Sequence, residues 1–194
     1  MPQFSDDIFL GPAPTNMGGN LGDPSPMSEG VGPLGRIYVW DVVPVNKANN
    51  NISVAATYSG AGTATLAAGT GTTAATTAAG VSVIQVDCPR VVNITIGTGT
   101  ITDRAITVTG FDLYGQSMTD VIQTGTTQST TINGEKAFNQ VSGVAVAGSI
   151  GGTLAVGTTN TLGLPVRLTN RGYAARIGWD NDTAEDAGVL IPAI

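Results

Sequence analysis

The 194-residue chain contains no histidine. Acid–base, nucleophilic and metal chemistry near neutral pH would therefore fall to carboxylates, one cysteine and a few arginines. The densest group of oxygen ligands is Asp180, Asp182, Glu185 and Asp186 in WDNDTAEDAG. Asp180-Asn181-Asp182 begins the alternating pattern that a calcium loop uses, but the glycine comes late and no distal glutamate follows at loop spacing. An acidic surface loop fits these residues better than a calcium site. Asp112 and Asp120 flank one bend and could in principle form a carboxylate pair, yet Asp112 already has a role in stabilising that bend. Cys88, between Val86 and Pro89, has no imidazole to activate it and reads as a small buried apolar residue. Glycines are abundant, but none follows a strand in a phosphate-cradling spacing that opens a helix. No catalytic residue, cofactor or metal is assigned from these patterns.

The elements that would position such groups are strands. Hydrophobic residues make up 41% of the chain, aromatic residues 5% and charged residues 11%. The core must then come from Val, Ile, Leu and Ala, and the surface from Thr, Ser, Asn and Gly, a composition that favours pleated sheet over solvated helix. Charge this sparse also favours burial of the outer surface against other chains, hence an oligomer or assembly component. The net charge is −6 with eight Lys plus Arg, which speaks against a phosphate-neutralising surface and direct nucleic-acid binding. Arg167, Arg171 and Arg176 are the nearest approach to a basic cluster; they either meet a carboxylate-rich partner or pair with nearby acids. One cysteine cannot form an internal disulfide and suits a reducing compartment. Neither a leader peptide nor an apolar run long enough to cross a membrane is expected.

Taken in order, residues 1–35 are expected to be an extended Pro/Gly-rich arm, with a disordered tail as the alternative; six prolines and the apolar residues Phe4, Ile8, Phe9, Leu10, Met17, Leu21 and Met27 are spaced along it. Proline stiffening with regular apolar contacts suits an arm that lies on a neighbouring subunit. Residues 36–170 are expected to form a β-sandwich or jelly-roll-like domain. Its strands run through RIYVWDVVPV, ISVAATY, VSVIQV, VVNITI, AFNQVSGVAV, TLAVG and LPVRL, with turns at Asn49-Asn50-Asn51, Gly97-Thr98-Gly99 and Asn133-Gly134. The best-defined hairpin is Arg104 to Gln123: Ile106 and Val108 alternate with threonines, Gly110, Asp112 and Gly115 bracket a bend, and Val121-Ile122 return. Residues 59–80, low in complexity, read as a flexible loop or a weakly specified hairpin. The tail 171–194, with Arg171, Arg176 and Trp179 before the acidic run and the apolar ending VLIPAI, is expected to pack on the domain or on a neighbour. Helix should be nearly absent.

The hairpin ITVTGFDLYGQSMTDVIQ, followed by TGTTQSTTINGEKAFNQVSGVAVAGSIGGTLAVGTTNTLGLPVRL, resembles the small β-rich head decoration or cement proteins of tailed bacteriophages. The resemblance rests on Thr109-Gly110, Tyr114-Gly115, Thr119 to Ile122, Lys136 to Phe138 and Gly151 to Thr158, and it does not extend to the arm. It implies a non-enzymatic virion protein made in the host cytoplasm. Such a protein binds the exterior of the head as a dimer or trimer, with the major capsid protein as partner, and stabilises the joints between capsid subunits. A tail, baseplate or fibre-associated structural protein remains an alternative. A carbohydrate-binding β-module is a further one, thinly supported because two Trp and four Tyr are spread along the chain.

Overall fold

The computed structural model describes residues 8–9, 36–37 and 42–164. The chain divides at Val43/Pro44 into two compact units. In the first, β1 (Ile8–Phe9) pairs antiparallel with β2 (Arg36–Ile37), Ile8 opposite Ile37 and Phe9 opposite Arg36.

The second unit is all-β and antiparallel throughout, and no helix occurs among the described residues. Its strands are β3 (Ala48–Thr57), β4 (Gly62–Thr63), β5 (Thr72–Thr76), β6 (Ser82–Ile96), β7 (Ala105–Phe111), β8 (Ser117–Gln123), β9 (Thr130–Val146) and β10 (Thr153–Leu162). They form one hydrogen-bonded sheet in the order β3-β10-β6-β9-β7-β8, with β4 against β9 and β5 against β6. The body is sandwich-like because β6 and β9, 15 and 17 residues long, are shared between its parts. β9 pairs with β6 from Thr130 to Val141 and with β7 from Gln140 to Val146, so Gln140 and Val141 have a strand on each side.

Alternation explains the core. In β7 every second residue is buried, Ile106, Val108 and Gly110, while the threonines between them are half-buried. Ile52, Val92, Ile94, Ile96, Ile122, Phe138, Val144, Leu154 and Val156 join Ile106 and Val108 in a single apolar cluster drawn from β3 and from β6 to β10. Phe138, fully buried, is the only aromatic residue among its buried members. Truncating it would cost about 3–5 kcal/mol.

Four local expectations are corrected. Asn49-Asn50-Asn51 is not a turn but part of β3: Asn51 Nδ2 donates to the Thr70 carbonyl at 2.8 Å and to Thr158 Oγ1 at 2.9 Å, which holds the amide inside the sheet. Asn133-Gly134 is not a turn either and lies within β9, beside a shift in the β6–β9 register. VSVIQV and VVNITI are one strand, β6, running through Pro89, which sits where the β6–β9 register also shifts and no ladder donor is demanded of it. Residues 59–80 contain β4 and β5.

Candidate functional site

Along one side of β6, β5 covers Ser82 to Val86 and β10 covers Arg90 to Ile96. Between them lie Asp87, Cys88 and Pro89, and here the two ends of the β-body come in. Asp87 N–H donates to the Gly71 carbonyl at 3.2 Å, and the Pro89 carbonyl accepts Gly163 N–H at 2.7 Å. Val45 N–H donates to Asp87 Oδ2 at 2.8 Å, and Arg90 returns a hydrogen bond from Nη2 to the Val45 carbonyl. The same Nη2 forms a short ion pair with Asp87 Oδ2, and Nη1 reaches the Thr159 carbonyl at 3.3 Å. Lys47 N–H and Asn160 Oδ1, at 3.3 Å, add a further link.

Arg90 is 1% exposed. A guanidinium so deeply buried is tolerable only when paired and hydrogen-bonded, and the planar fork lets one side chain hold a carboxylate and two backbone carbonyls together. The result is a clasp that fastens Val45, ahead of β3, and Thr159 to Gly163, at the end of β10, to the middle of β6. Burial pushes the Cys88 thiol up, the largest influence on it, with the Arg90 hydrogen bond acting the other way. This is the environment of an inert structural cysteine.

Next to the clasp is a layer of neutral polar groups. Asn93 Nδ2 donates to Asn49 Oδ1 at 3.1 Å, and Asn51, Ser53, Thr158 and Thr159 are buried around it. The side-chain carbonyls of Asn51 and Asn93 and Nε of Arg90 are buried without a protein partner. Neutral amides and hydroxyls of this kind specify register. No group of three or more Cys, Asp or Glu capable of holding a metal occurs among the described residues.

Asp112 and Asp120 do not form a carboxylate pair. Asp112 Oδ1 accepts the N–H groups of Tyr114 and Gln116, both at 2.8 Å, and Gly115 takes φ +75° in the same bend, a conformation that suits glycine. Asp120, 5% exposed, stands opposite Val108, about 13 Å along the strand from the bend. Its Oδ2 accepts Glu135 N–H at 2.8 Å and Lys136 N–H at 3.2 Å, and its Oδ1 accepts Val121 N–H at 3.0 Å. Gly134 is required there because a Cβ would run into that carboxylate. Lys136 Nζ completes the link by donating to the Thr119 carbonyl at 2.7 Å. The free side of β8 is thereby stapled to the first half of β9.

The residues expected to contact partners are placed as follows. Ile8 and Phe9 lie in β1. Phe4, Leu10, Met17, Leu21, Met27, Arg171, Arg176 and Trp179 lie outside the described residues, as do Asp180, Asp182, Glu185 and Asp186. The structure adds Asp87, Arg90 and Asn51, which the sequence reading passed over. For the pair a signal was available: Asp87 and Arg90 are opposite charges three residues apart in the strand-like run VDCPRVVNITI. No protein-family model, curated protein or solved structure matches the chain.

Proposed function

We propose that this chain is a structural virion protein, a cement or decoration protein that binds the outer surface of a tailed-phage head and stabilises contacts between major capsid protein subunits. The observation that carries the reading is the clasp. A buried arginine and its ion pair, with the neighbouring Pro89 carbonyl, hold Val45, Thr159 and Gly163 at one place on β6, so the stretches on either side of the strands share a rigid root. A protein that works by spanning joints needs such a root, because a second attachment raises the effective concentration of the first. The scarcity of charge and the resemblance of residues 106–168 to decoration proteins support the same reading. So do the roles of Asp112, Asp120 and Cys88, each engaged in holding the fold.

The test is quantitative mass spectrometry of particles of the virus that carries the gene, followed by cryo-electron microscopy. Copies in proportion to capsomers, seated on the shell exterior, are the expected result. A small fixed number at the tail would move the protein to the tail or baseplate class. Its absence from particles would overturn both structural readings.

A further inference from the structure

We propose that the free side of β5 is a self-pairing edge, through which two copies of this chain join antiparallel about a two-fold axis at Ala74. The inference does not rest on the capsid reading and survives its failure.

The hydrogen-bond alternation of the β5–β6 hairpin decides which groups face outward. Asp87 N–H bonds the Gly71 carbonyl and Thr77 N–H bonds the Val81 carbonyl, both at sites where β5 and β6 exchange bonds. Counting by twos, residues 73 and 75 bond inward to β6, and Thr72, Ala74 and Thr76 point their backbone groups away from it. Thr72 N–H is taken by the Gly69 carbonyl at 3.1 Å. What remains on the edge is the Thr72 carbonyl and both groups of Ala74 and Thr76. No other strand pairs with β5 among the described residues, and Thr73, Ala74 and Thr76 are exposed.

An antiparallel two-fold at Ala74 satisfies these groups. The two Ala74 residues exchange a pair of bonds, and each Thr76 N–H meets the Thr72 carbonyl opposite. The strand TTAAT then sets Thr against Thr and Ala against Ala at the outward-bonding positions, all small and β-compatible. A self-complementary patch of this kind is what an isologous contact requires.

Charge favours a second copy as the occupant. From Ala48 to Val86 the sequence holds no charged residue, although the chain carries −6 overall. Two copies can therefore approach edge to edge here without placing like charges together. The edge strand itself has no lysine, no proline and no bulge, three of the devices that blunt strand edges. A five-residue strand pair is small, in the class of weak contacts, so association is expected at high protein concentration or wherever copies are held side by side.

The test uses the full chain. In Ala74→Pro the lost N–H faces outward, so the β5–β6 ladder keeps its bonds; Thr76→Lys adds a charge to the edge. Sedimentation equilibrium into the millimolar range should show the wild-type average mass rising toward twice the monomer, and both variants should stay monomeric with unchanged melting curves. Ala74→Cys provides a second readout. Paired Cα atoms about 5.5 Å apart lie within disulfide range, and the native thiol, Cys88, is 2% exposed and does not compete. With oxidised glutathione, Ala74→Cys should give a covalent dimer that wild type does not. Equal masses for wild type and both edge variants, or no covalent dimer from Ala74→Cys, would overturn the proposal.

Discussion

Two of the edges at which pairing in this sheet stops, those of β8 and β5, are treated differently. At β8, Asp120 binds the Val121 N–H, Lys136 covers the Thr119 carbonyl, and Asp120 also ties the strand to β9. The outward groups of β8 are those of Ser117, Thr119, Val121 and Gln123, so the guards sit at its centre, beside a Val121 that is 54% exposed. At β5 no side chain of the described residues occupies the groups of Ala74 and Thr76. One edge is closed by a carboxylate and an ammonium; the other, among the described residues, carries no such guard and lies in a stretch without charge. A fold that spends a buried aspartate on closing one edge shows that unpaired strand groups are a hazard there. The bare edge reads as retained for pairing.

That contrast can be broken at several points. Arg90→Ala has the largest expected effect: it empties the buried guanidinium site, leaves the partly buried Asp87 without its ion-pair partner and should destabilise by about 3 kcal/mol, read from the urea midpoint. Asp120→Ala should cost about 3 kcal/mol, because the N–H groups of Glu135 and Lys136 lose their acceptor. It should also increase hydrogen exchange at Val121, whereas exchange at Ala74 should not change. Gly134→Ala forces a methyl against the Asp120 carboxylate and should cost about 1–3 kcal/mol by the same assay.

Lys136→Ala should shift stability by less than about 1 kcal/mol, since its ammonium is exposed. Its sharper readout is association: with the Thr119 carbonyl uncovered, β8 should begin to self-pair, giving higher oligomers by sedimentation. The smallest effect concerns Cys88. Its folded pKa is raised, so the folded chain holds the proton more tightly than the unfolded one. Stability from this group is fully present below the ordinary thiol value of 9.0 and declines as pH rises above it. Cys88→Ala should remove that part of the alkaline slope in unfolding measurements.

The hairpin β7–β8 was legible in sequence because it is local: alternation, an aspartate in the bend and a glycine at positive φ all fall within twenty residues. The all-β class was legible from composition for a similar reason. What escaped reading depends on partners far along the chain. Asn51 looks like turn material until Thr158 is beside it, and Asn133-Gly134 has the chemistry of a hairpin turn although Asp120 reserves the space that Gly134 leaves. Pro89 reads as a strand breaker, but it sits where β6 is between neighbours and its missing N–H is not needed. Arg90 carries no local sign of its two backbone carbonyl partners, which lie 45 and 69 residues away. Thr72 to Thr76 resembles low-complexity filler because Thr and Ala alone do not announce which register they will take.

The position of the clasp has a mechanical consequence. A pull on either end of the β-body arrives at Asp87 to Arg90, near the midpoint of the longest strand but one, and not at a frayed terminus. Force entering there meets β6 between the stretch paired with β5 and the stretch paired with β10, with β9 along its other side. The sheet should therefore resist tension on its chain ends far better than its modest apolar core alone would suggest, and Arg90→Ala should lower the rupture force in single-molecule stretching.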